Sequence, residues 1–397
     1  MFALNDFDFS NKKALIRVDF NVPFDKLKGV ITDDKRIRAA IPTISHVLKG
    51  GGAVILLSHF GRPKFGFDKD CSLRLLRSCL ADLLGKTIYF AEDCIGEDAQ
   101  TLAKELQPGE VLLLENVRFH KEETSGDISF ARKLAHLGDC FINDAFGAAH
   151  RAHASTTQIA TFFPNAKMMG FLMQGEIETA QKVIKHGNKP FTAIIGGAKV
   201  SDKLLIIKNL LSVADHIIIG GGMAFTFFKA MGGEIGNSLC EEELLETCNS
   251  ILSQAKSEGV AIHLPADSVI ADAFSASAQV SNCSSDKIPK DWMGLDIGEK
   301  AIGDFREVIL NSKTLLWNGP MGVFELTPFS KGTISIAADV ALATKNGAFS
   351  LIGGGDSAAA VQKFGFEDQV SYVSTGGGAL LEYFEGKELP GISALTN

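Results

Sequence analysis

Residues 191–222 read FTAIIGGAKVSDKLLIIKNLLSVADHIIIGGG and show the pattern that decides the fold. The apolar run 192–195 is followed by two glycines, a stretch with helical periodicity at 201–211, a second apolar run at 216–219 and three glycines. Apolar runs of about four to eight residues have the length of buried strands. A strand, a helix and a strand in this order are typical of a parallel sheet covered by helices.

The same alternation extends along the whole chain. The predicted strands are residues 14–18, 53–57, 111–114, 140–142, 192–195, 216–219, 314–317 and 349–352. The clearest predicted helices are residues 73–84, 201–211 and 241–256. A chain of 397 residues has room for two domains of about 100–200 residues each. The predicted fold class is therefore α/β, with two doubly wound, Rossmann-like parallel-sheet domains.

The residues that follow the predicted strands change character midway along the chain. Polar and cationic residues follow them in the first half and glycines in the second, which indicates two different ligands. The intervening stretch at 170–185, GFLMQGEIETAQKVIK, has a helix-forming composition. We therefore predict a first domain at 1–170, a connecting hinge helix at 171–187 and a second domain at 188–387. The tail at 388–397 is expected to pack back on the first domain.

Composition argues against several classes of protein. The net charge of −8 is spread along the sequence without a lysine and arginine block, which argues against a nucleic-acid partner. The longest apolar stretch, 217–228, is interrupted by glycines and is shorter than the roughly 20 residues that cross a bilayer. The seven cysteines form no C-x-x-C pair, and the first ten residues lack the apolar segment of a signal peptide. We predict a cytoplasmic protein with reduced thiols and no membrane span.

A set of five arginines lies in the first half of the chain, and four of them follow predicted strands. Its members are Arg17, Arg36, Arg62, Arg118 and Arg151. Arginine presents a planar fork of donors that matches carboxylate and phosphate groups. Because ligands of open parallel sheets bind outside the carboxyl ends of the strands, these side chains are expected to line one site. A single arginine is more often solvated or salt-bridged, but the set predicts a small ligand with two anionic ends.

Glycine runs follow the second-half strands. They lie at residues 196–197, 220–222, 353–355 and 376–378. Glycine lets backbone N–H groups approach a ligand closely, and a following helix adds its positive end, so such turns bind phosphate. Asp356 and Ser357 offer oxygens suited to a phosphate-bound Mg²⁺, and Asp356 is the metal candidate. Lys199 and Lys203, around the start of a predicted helix, are placed to reach the same phosphates. Any one run is equally consistent with a tight turn.

Several common nucleotide motifs are missing from the sequence. It contains no G-x-x-x-x-G-K-[ST] P-loop and no protein-kinase H-R-D or D-F-G motif. Residues 353–358 match a dinucleotide fingerprint, but the ribose-binding acid expected about 20 residues later is absent near 374–375. An NAD-dependent dehydrogenase is therefore a weaker alternative to phosphoryl transfer.

Ten strings, in order along the chain, carry a resemblance to a known family. They are RVDFNVP (17–23), RI (36–37), SHFGRP (58–63), ENVRF (115–119), NDAFGAAHRAHAS (143–155), GGAKVSDK (196–203), GGGMAFTF (220–227), NGPMGVFE (318–325), GGGDS (353–357) and STGGGA (374–379). The chain resembles the phosphoglycerate kinases from near residue 13 to the LPG at 389–391. Phe60 stands where leucine is usual, and Leu380 stands where serine usually follows GGGA. Leu380 is predicted to remove a cap-like hydroxyl and to change the rate modestly.

The resemblance implies reversible phosphoryl transfer between 1,3-bisphosphoglycerate with MgADP and 3-phosphoglycerate with MgATP, by a monomer that closes a cleft between its domains. The phosphoglycerate-binding residues that it implies are Asp19, Asn21, Arg36, His59, Arg62, Arg118, His150 and Arg151. The nucleotide-binding residues that it implies are Lys203, Gly221, Val323, Glu325, Gly353, Gly354, Gly355, Asp356 and Ser357, and Asp356 also engages Mg²⁺. The groups implied to act on the transferring phosphoryl group are Arg36, Lys199, Gly376, Gly377 and Gly378.

The implied chemistry needs no general base. The acceptor is a carboxylate with a pKa of about 4, so it is already ionised at neutral pH. Positioning and charge neutralisation are then sufficient. The alternative from another class is a nucleotide-binding scaffold without turnover, and the retention of Arg36, Lys199, Lys203 and Asp356 argues against it.

Overall fold

A computed structural model of the protein describes residues 3–64 and 66–396. The strands are β1 (Lys13–Arg17), β2 (Phe24–Asp25), β3 (Val30–Ile31), β4 (Ala53–Leu57), β5 (Ile88–Phe90), β6 (Val111–Leu113), β7 (Cys140–Asn143), β8 (Lys167–Met169), β9 (Phe191–Ile195), β10 (His216–Ile219), β11 (Glu234–Ile235), β12 (Ala261–His263), β13 (Asp267–Ala271), β14 (Val280–Ser284), β15 (Lys287–Ile288), β16 (Met293–Ile297), β17 (Thr314–Asn318), β18 (Phe349–Gly353) and β19 (Tyr372–Val373). The α-helices are α1 (Lys35–Lys49), α2 (Arg77–Leu84), α3 (Glu97–Glu105), α4 (Lys121–Ser125), α5 (Ile128–Ala135), α6 (Phe171–Ile184), α7 (Leu204–Leu210), α8 (Met223–Ala230), α9 (Leu245–Glu258), α10 (Glu299–Asn311), α11 (Lys331–Lys345), α12 (Gly355–Lys363), α13 (Gly378–Phe384) and α14 (Pro390–Thr396).

The chain forms two compact units. Unit 1 runs to Ile177 and resumes at Glu388, and unit 2 spans Glu178–Lys387. The division falls inside α6, which covers most of the predicted connecting helix. Within the described residues, no helix has the length and apolar character needed to cross a membrane.

Unit 1 is built on a six-stranded parallel sheet in the order β5-β6-β4-β1-β7-β8. β4, with the sequence AVILL, is buried at every position, as expected for a strand covered by helices on both faces. Arg17, the last residue of β1, pairs with Leu57 of β4 and Asn143 of β7. The residues that follow these three strands therefore emerge at the same edge of the sheet.

Unit 2 contains a second six-stranded parallel sheet in the order β12-β10-β9-β17-β18-β19. Trp317 of β17 is fully buried in the core of this unit, together with Ile194 and Ile352 from the neighbouring strands. Asn318, the next residue, pairs with Ile195 of β9 and Gly353 of β18. The glycine turns after β9, β17 and β18 therefore begin side by side.

The predicted fold class, α/β with two parallel sheets, is confirmed. The eight predicted strands correspond to β1, β4, β6, β7, β9, β10, β17 and β18. The missed strands of the two parallel sheets, β5, β8, β12 and β19, lie at sheet edges and are only two or three residues long, too short for a recognisable apolar run.

Unit 2 also contains an antiparallel sheet, β14-β13-β16, that was not predicted. Its outer strand β14 reads VSNCS and is mostly exposed, so the hydrophobic pattern does not reveal it. β16 lies beside the segment that carries Val323, because the Val323 N–H donates to the Leu295 carbonyl at 2.9 Å.

The three helices named from periodicity begin later than predicted. Residues 73–84 form a 3₁₀ helix, Leu73–Leu76, before α2, and residues 241–256 form a 3₁₀ helix, Glu242–Leu244, before α9. The helix at 201–211 begins only at Leu204, because the Lys203 N–H donates to the Val200 carbonyl in a turn. Lys199 and Lys203 therefore both lie on the loop before α7.

The N-terminus of α6 is capped from inside unit 1. The Met173 N–H donates to Asp144 Oδ1 at 3.1 Å, and the Phe171 N–H donates to Thr43 Oγ1 at 2.9 Å. Burial raises the pKa of Asp144 to about 6. These contacts satisfy backbone donors that a helix start otherwise leaves without partners.

The C-terminal helix α14 belongs to unit 1. The Gly391 N–H donates to the Ala149 carbonyl at 2.8 Å, and Lys167 Nζ donates to the Ala394 carbonyl at 2.8 Å. The end of the chain thus contacts β8 and the segment after β7.

Candidate active site

The first cluster of polar side chains lies where β1 and β4 end. Arg36, in the first turn of α1, donates from Nη1 to Asp19 Oδ2 and to the Asn21 carbonyl, each at 3.1 Å. Asn21 Oδ1 accepts a hydrogen bond from the Gly61 N–H at 2.9 Å. His59 Nδ1 lies 3.8 Å from Asp19 Oδ1. The structure therefore places these residues in one contact network.

Arg17 lies beneath this network and is fully buried. Its Nε donates to Ser155 Oγ at 2.8 Å, its Nη1 donates to the Val18 carbonyl, and its Nη2 lies 3.2 Å from His59 Nδ1. β1 is buried from Ala14 onward, so the side chain at its end enters the interior. Arg17 thus supports the cluster from inside, which differs from the expectation that it would line the site with the other four arginines.

Three of the other predicted residues surround the same loops. Arg118 Nη1 donates to the Gly61 carbonyl at 2.9 Å, and Arg62, the next residue along, is exposed. Arg151 is also exposed, and its Nε donates to His150 Nε2 at 3.1 Å. The loop at Gly61 is therefore held both by Asn21 and by Arg118.

Positive charge is concentrated in this cluster. Burial, and then repulsion from Arg17 and Arg151, lowers the pKa of Arg118 to about 10. Burial likewise lowers the pKa of His153 to about 4, with the same arginines adding to the effect. Burial also holds the pKa of His59 well below its usual value. Both histidines are neutral at neutral pH, and a bound anion would relieve the repulsion between the arginines.

Glu123 completes the cluster and was not predicted. Its side chain is fully buried, Oε1 accepts a hydrogen bond from Ser155 Oγ at 2.7 Å, and Oε2 accepts one from the Ser155 N–H at 2.9 Å. Its charge also opposes the effect of burial on the pKa of Arg17. A glutamate in the sequence KEETS has no feature that separates it from a solvated residue, so only the fold reveals its role.

The second cluster lies at the edge of the unit 2 sheet and is centred on Asn318. Lys203 Nζ donates to Asn318 Oδ1, and Asn318 Nδ2 donates to the Gly353 carbonyl at 2.7 Å. Asp356 is exposed in the first turn of α12. Burial lowers the pKa of Lys203, while the charge of Asp356 and other carboxylates opposes that shift. A cation and a carboxylate thus flank the glycine turn after β18.

The turn after β18 depends on glycine and on a buried serine. Gly354 has a φ of 87°, in the region that favours glycine, and the chain then enters α12 at Gly355. Ser357 Oγ accepts a hydrogen bond from the Gly319 N–H at 2.6 Å and is fully buried. This hydroxyl already holds the turn after β17.

The turns after β9, β10 and β17 pack backbone against backbone. Gly221 has a φ of 68°, and a Cβ placed there would lie 2.6 Å from the Gly197 carbonyl oxygen. Lys199 is exposed on the loop after β9. Val323, predicted at the adenine pocket, is half-buried, and Glu325, predicted at the ribose, is exposed.

The glycine run at 376–378 leads into α13, which begins at Gly378. The Gly376 N–H donates to Ser374 Oγ at 3.0 Å. Leu380 is only 1% exposed, and a Cβ on Gly353 would lie 2.8 Å from Leu380 Cδ2. Leu380 therefore lies in the first turn of α13 and packs beneath the turn after β18, and its effect on the rate stays a prediction.

Asp296 on β16 is a buried carboxylate close to the segment that carries Val323. Its oxygens accept hydrogen bonds from the Ile297 N–H at 2.9 Å and the Gly332 N–H at 2.7 Å, and a Cβ on Gly322 would overlap it. Burial raises its pKa from 3.8 to about 7. The folded protein therefore holds a proton here at a pH where the unfolded chain has lost it.

This raised pKa predicts a pH dependence of stability. The contribution of the protonated Asp296 is fully present below about pH 4 and is lost as the pH rises through about 7. Between those limits we expect the free energy of unfolding of the wild type to fall by about 1 kcal/mol per pH unit relative to that of Asp296→Asn. Urea unfolding of both proteins across the range measures the difference. Parallel pH dependence in the two proteins would contradict the assigned pKa.

Comparison with known proteins shows the family of the chain. A model of the family "Phosphoglycerate kinase" matches residues 4–387. Proteins named phosphoglycerate kinase from Chloroherpeton thalassium and Porphyromonas gingivalis are each 50% identical, over 100% and 99% of this chain and 99% of each relative. The structure of phosphoglycerate kinase from Coxiella burnetii superposes with a TM-score of 0.88 at 38% identity, covering 100% of this chain and 98% of that one. The corresponding structure from Pyrococcus horikoshii gives 0.84 at 32% identity, with the same coverage. The chain belongs to the phosphoglycerate kinase family.

Proposed function

We propose that this chain transfers a phosphoryl group reversibly between 1,3-bisphosphoglycerate with MgADP and 3-phosphoglycerate with MgATP. Its family makes it a kinase of glycolysis whose acceptor is a carboxyl group. The observation that supports the detailed proposal most strongly is the contrast between the two clusters. Unit 1 presents arginines around Asp19 and His59, whereas unit 2 presents glycine turns flanked by Lys203 and Asp356.

We assign 3-phosphoglycerate to the unit 1 cluster. The residues proposed to bind it are Asp19, Asn21, Arg36, His59, Arg62, Arg118, His150 and Arg151. The phosphate and the carboxylate of the substrate each match the planar fork of a guanidinium group. Asp19 and the Asn21 carbonyl hold Arg36 by its Nη1 atom, which orients the guanidinium before a ligand arrives.

We assign the nucleotide to the unit 2 cluster. The residues proposed to bind it are Lys203, Gly221, Val323, Glu325, Gly353, Gly354, Gly355, Asp356 and Ser357. Asp356 fits a nucleotide-bound Mg²⁺, because this ion usually takes one or two carboxylates together with phosphate oxygens and waters. The bound ion would neutralise charge on the phosphates. Lys203 supplies a second positive charge on the same turn.

The residues proposed to act on the transferring phosphoryl group are Arg36, Lys199, Gly376, Gly377 and Gly378. The acceptor and the leaving group are both already ionised, so no side chain has to remove a proton. Arg36 and Lys199 would stabilise the negative charge on the phosphoryl oxygens, which develops without covalent help from the protein. Backbone N–H groups at the start of α13 would add donors to the same group.

We also propose that the two units close during turnover, with α6 as the hinge. The substrates are assigned to different units, so transfer requires them to approach, and closure would exclude water that hydrolyses an acyl phosphate. The division of the chain within α6 supports this assignment. A variant cross-linked in an open state that turns over as fast as the protein without the cross-link would contradict the proposal.

Location and assembly are proposed from the family and from the thiols. We propose a monomer in the cytoplasm that binds neither nucleic acid nor membranes. All seven cysteines are free, as expected in a reducing compartment. A sedimentation coefficient that rises with protein concentration would contradict the monomer.

The proposed reaction is tested by turnover. Purified protein is incubated with MgATP and 3-phosphoglycerate, and the product is coupled to NADH oxidation by glyceraldehyde-3-phosphate dehydrogenase. Omission of each substrate and of Mg²⁺ provides the controls. We expect oxidation that requires all three. A protein that binds nucleotide but shows no turnover would support the scaffold alternative instead.

The assignment of Asp356 predicts a variant with a specific defect. Asp356→Asn is expected to raise the KM for the magnesium nucleotide and to leave the KM for 3-phosphoglycerate unchanged, because the residue lies only in the second cluster. Its exposure predicts little change in stability. Steady-state kinetics with each substrate varied in turn measure both constants, and Asp368→Asn, in another exposed stretch of unit 2, is the control. An equal rise in both KM values would contradict the assignment.

A further inference from the structure

We propose that Asp93, Cys94 and His120 form a binding site for a borderline-soft divalent metal ion, of which Zn²⁺ is the best match. The site lies in unit 1 and is separate from the magnesium position proposed at Asp356. It does not depend on the assignment of either substrate.

The three side chains converge although they come from separate segments. Asp93 and Cys94 follow β5, and His120 lies between a 3₁₀ helix, Val117–Phe119, and α4. One ligand atom from each residue lies within 4.8 Å of the other two. Asp93 Oδ1 and His120 Nε2 are 2.6 Å apart. Zinc lies roughly 2.0–2.3 Å from each of its ligands, so three atoms this close together can share one ion once the side chains adjust.

The chemistry of the three donors selects the class of metal. A thiolate, an imidazole and a carboxylate are all common zinc ligands, and with one water they complete a four-coordinate site. Mg²⁺ prefers six oxygen ligands in an octahedron and binds sulfur and nitrogen atoms poorly. The set therefore discriminates against the ion that accompanies the nucleotide.

The surroundings give the site one closed side and one open side. Cys94 is fully buried, whereas the side chains of Asp93 and His120 are 45% and 26% exposed. The His120 ring packs against Phe130, with centroids 5.1 Å apart, which limits its rotation. The Cys94 N–H donates to Asp93 Oδ1 at 2.6 Å, so the backbone fixes the carboxylate beside the thiol. An ion can enter from the side of the carboxylate and the imidazole.

Binding exchanges protons for the ion. In the metal-free protein the contact between Asp93 and His120 places a proton between them, and Cys94 carries its thiol proton. A bound ion requires an unprotonated Nε2 and a thiolate. The thiol proton is released to solvent, and a charged His120 releases a second proton. Affinity is therefore expected to fall as the pH is lowered.

The test uses Co²⁺ as a spectroscopic substitute for Zn²⁺. The metal-free full chain is titrated with Co²⁺ in buffer without nucleotide, and absorbance is recorded. We expect saturation at one ion per chain, a sulfur-to-cobalt charge-transfer band, and visible bands with the intensity of a four-coordinate ion. Zn²⁺ is expected to remove these bands, and excess Mg²⁺ to leave them unchanged.

Matched variants identify the ligands. Cys94→Ser is expected to abolish the charge-transfer band, and His120→Gln to weaken binding at least tenfold, a loss typical of a removed or misplaced ligand. Cys140→Ala removes another fully buried thiol of unit 1 and is expected to leave the titration unchanged. Circular dichroism checks that each variant is folded, and His120→Gln decides the question if Cys94→Ser does not fold. The absence of a charge-transfer band in the wild type, or undiminished binding by His120→Gln, would overturn the proposal.

Discussion

Arg36→Ala is expected to lower the rate of phosphoryl transfer by about 10²–10³-fold, the loss seen when one preorganised group is removed from a transition state. Arg36 is the arginine whose guanidinium is fixed by both Asp19 and the Asn21 carbonyl. An alanine leaves the negative charge of Asp19 without this partner in the cluster that is proposed to bind an anion. Burial acts to raise the pKa of Asp19, but the contact with His59 and the positive charges of Arg36 and Arg17 hold it below its usual value. The variant therefore removes a positive charge that is proposed to bind the substrate. It also leaves the negative charge of Asp19 near that substrate.

Arg38→Ala is the matched control for this experiment. Arg38 lies on the same helix, is exposed and pairs with Asp34 at 2.8 Å, outside the cluster. We expect kcat and both KM values of this variant to stay near those of the wild type, because exposed ion pairs contribute little. Steady-state and single-turnover rates of the three proteins measure the effect. A loss in Arg38→Ala comparable to that in Arg36→Ala would show that the defect comes from α1 as a whole.

Glu123→Ala is expected to destabilise the protein by about 3–5 kcal/mol, the cost of leaving a buried charge uncompensated. Glu123 is fully buried, accepts two hydrogen bonds from Ser155, and is the largest charge that opposes the burial of Arg17. Its removal leaves the Arg17 guanidinium with an unbalanced charge in the core. The expected loss is large compared with the effect of most single substitutions.

Glu122→Ala provides the control, since it removes the neighbouring carboxylate of the same helix, which is not fully buried. We expect a change within about 0.5 kcal/mol for this variant. Urea unfolding, followed by circular dichroism, gives both values. Glu123→Gln separates charge from hydrogen bonding, because it keeps an acceptor for Ser155. Similar midpoints for Glu123→Ala and Glu122→Ala would show that Arg17 does not need this partner.

The parallel sheets could be predicted because their central strands carry an unambiguous pattern. β4 and β17 are buried at every position, and their apolar runs, AVILL and LLW, identify such strands from sequence alone. The antiparallel sheet could not be predicted in the same way. β14 alternates neither in burial nor in polarity, and its pairing with β13 is set by backbone hydrogen bonds that the pattern does not record.

The candidate site shows the same division between what a sequence reveals and what it does not. Strand-end position identified Arg62 and Arg118, because the ends of parallel strands meet at one edge of the sheet. It could not show that Arg17, the last residue of β1, enters the interior, since that depends on burial by neighbouring segments. Glu123 and Ser155 were missed for the related reason that buried hydrogen bonds between distant segments leave no local periodicity.

Leu380 has a packing role that its position along the chain does not reveal. The departure from the usual GGGA-serine string predicts the loss of a cap-like hydroxyl, but it gives no information about the packing around the side chain. The structure shows that the side chain fills the space beneath Gly353, where a polar hydroxyl would meet an apolar contact. Position along a helix can be estimated from sequence, whereas the partner of a side chain across the fold cannot.

The central claim is that transfer proceeds by positioning and charge neutralisation, without a proton donor or acceptor. A rapid-quench single turnover of MgADP with 1,3-bisphosphoglycerate, carried out in H₂O and in D₂O, tests this most directly. We predict formation of MgATP at the same rate in both solvents, because no proton moves in the chemical step. A rate that falls clearly in D₂O, or the absence of any transfer, would contradict the account.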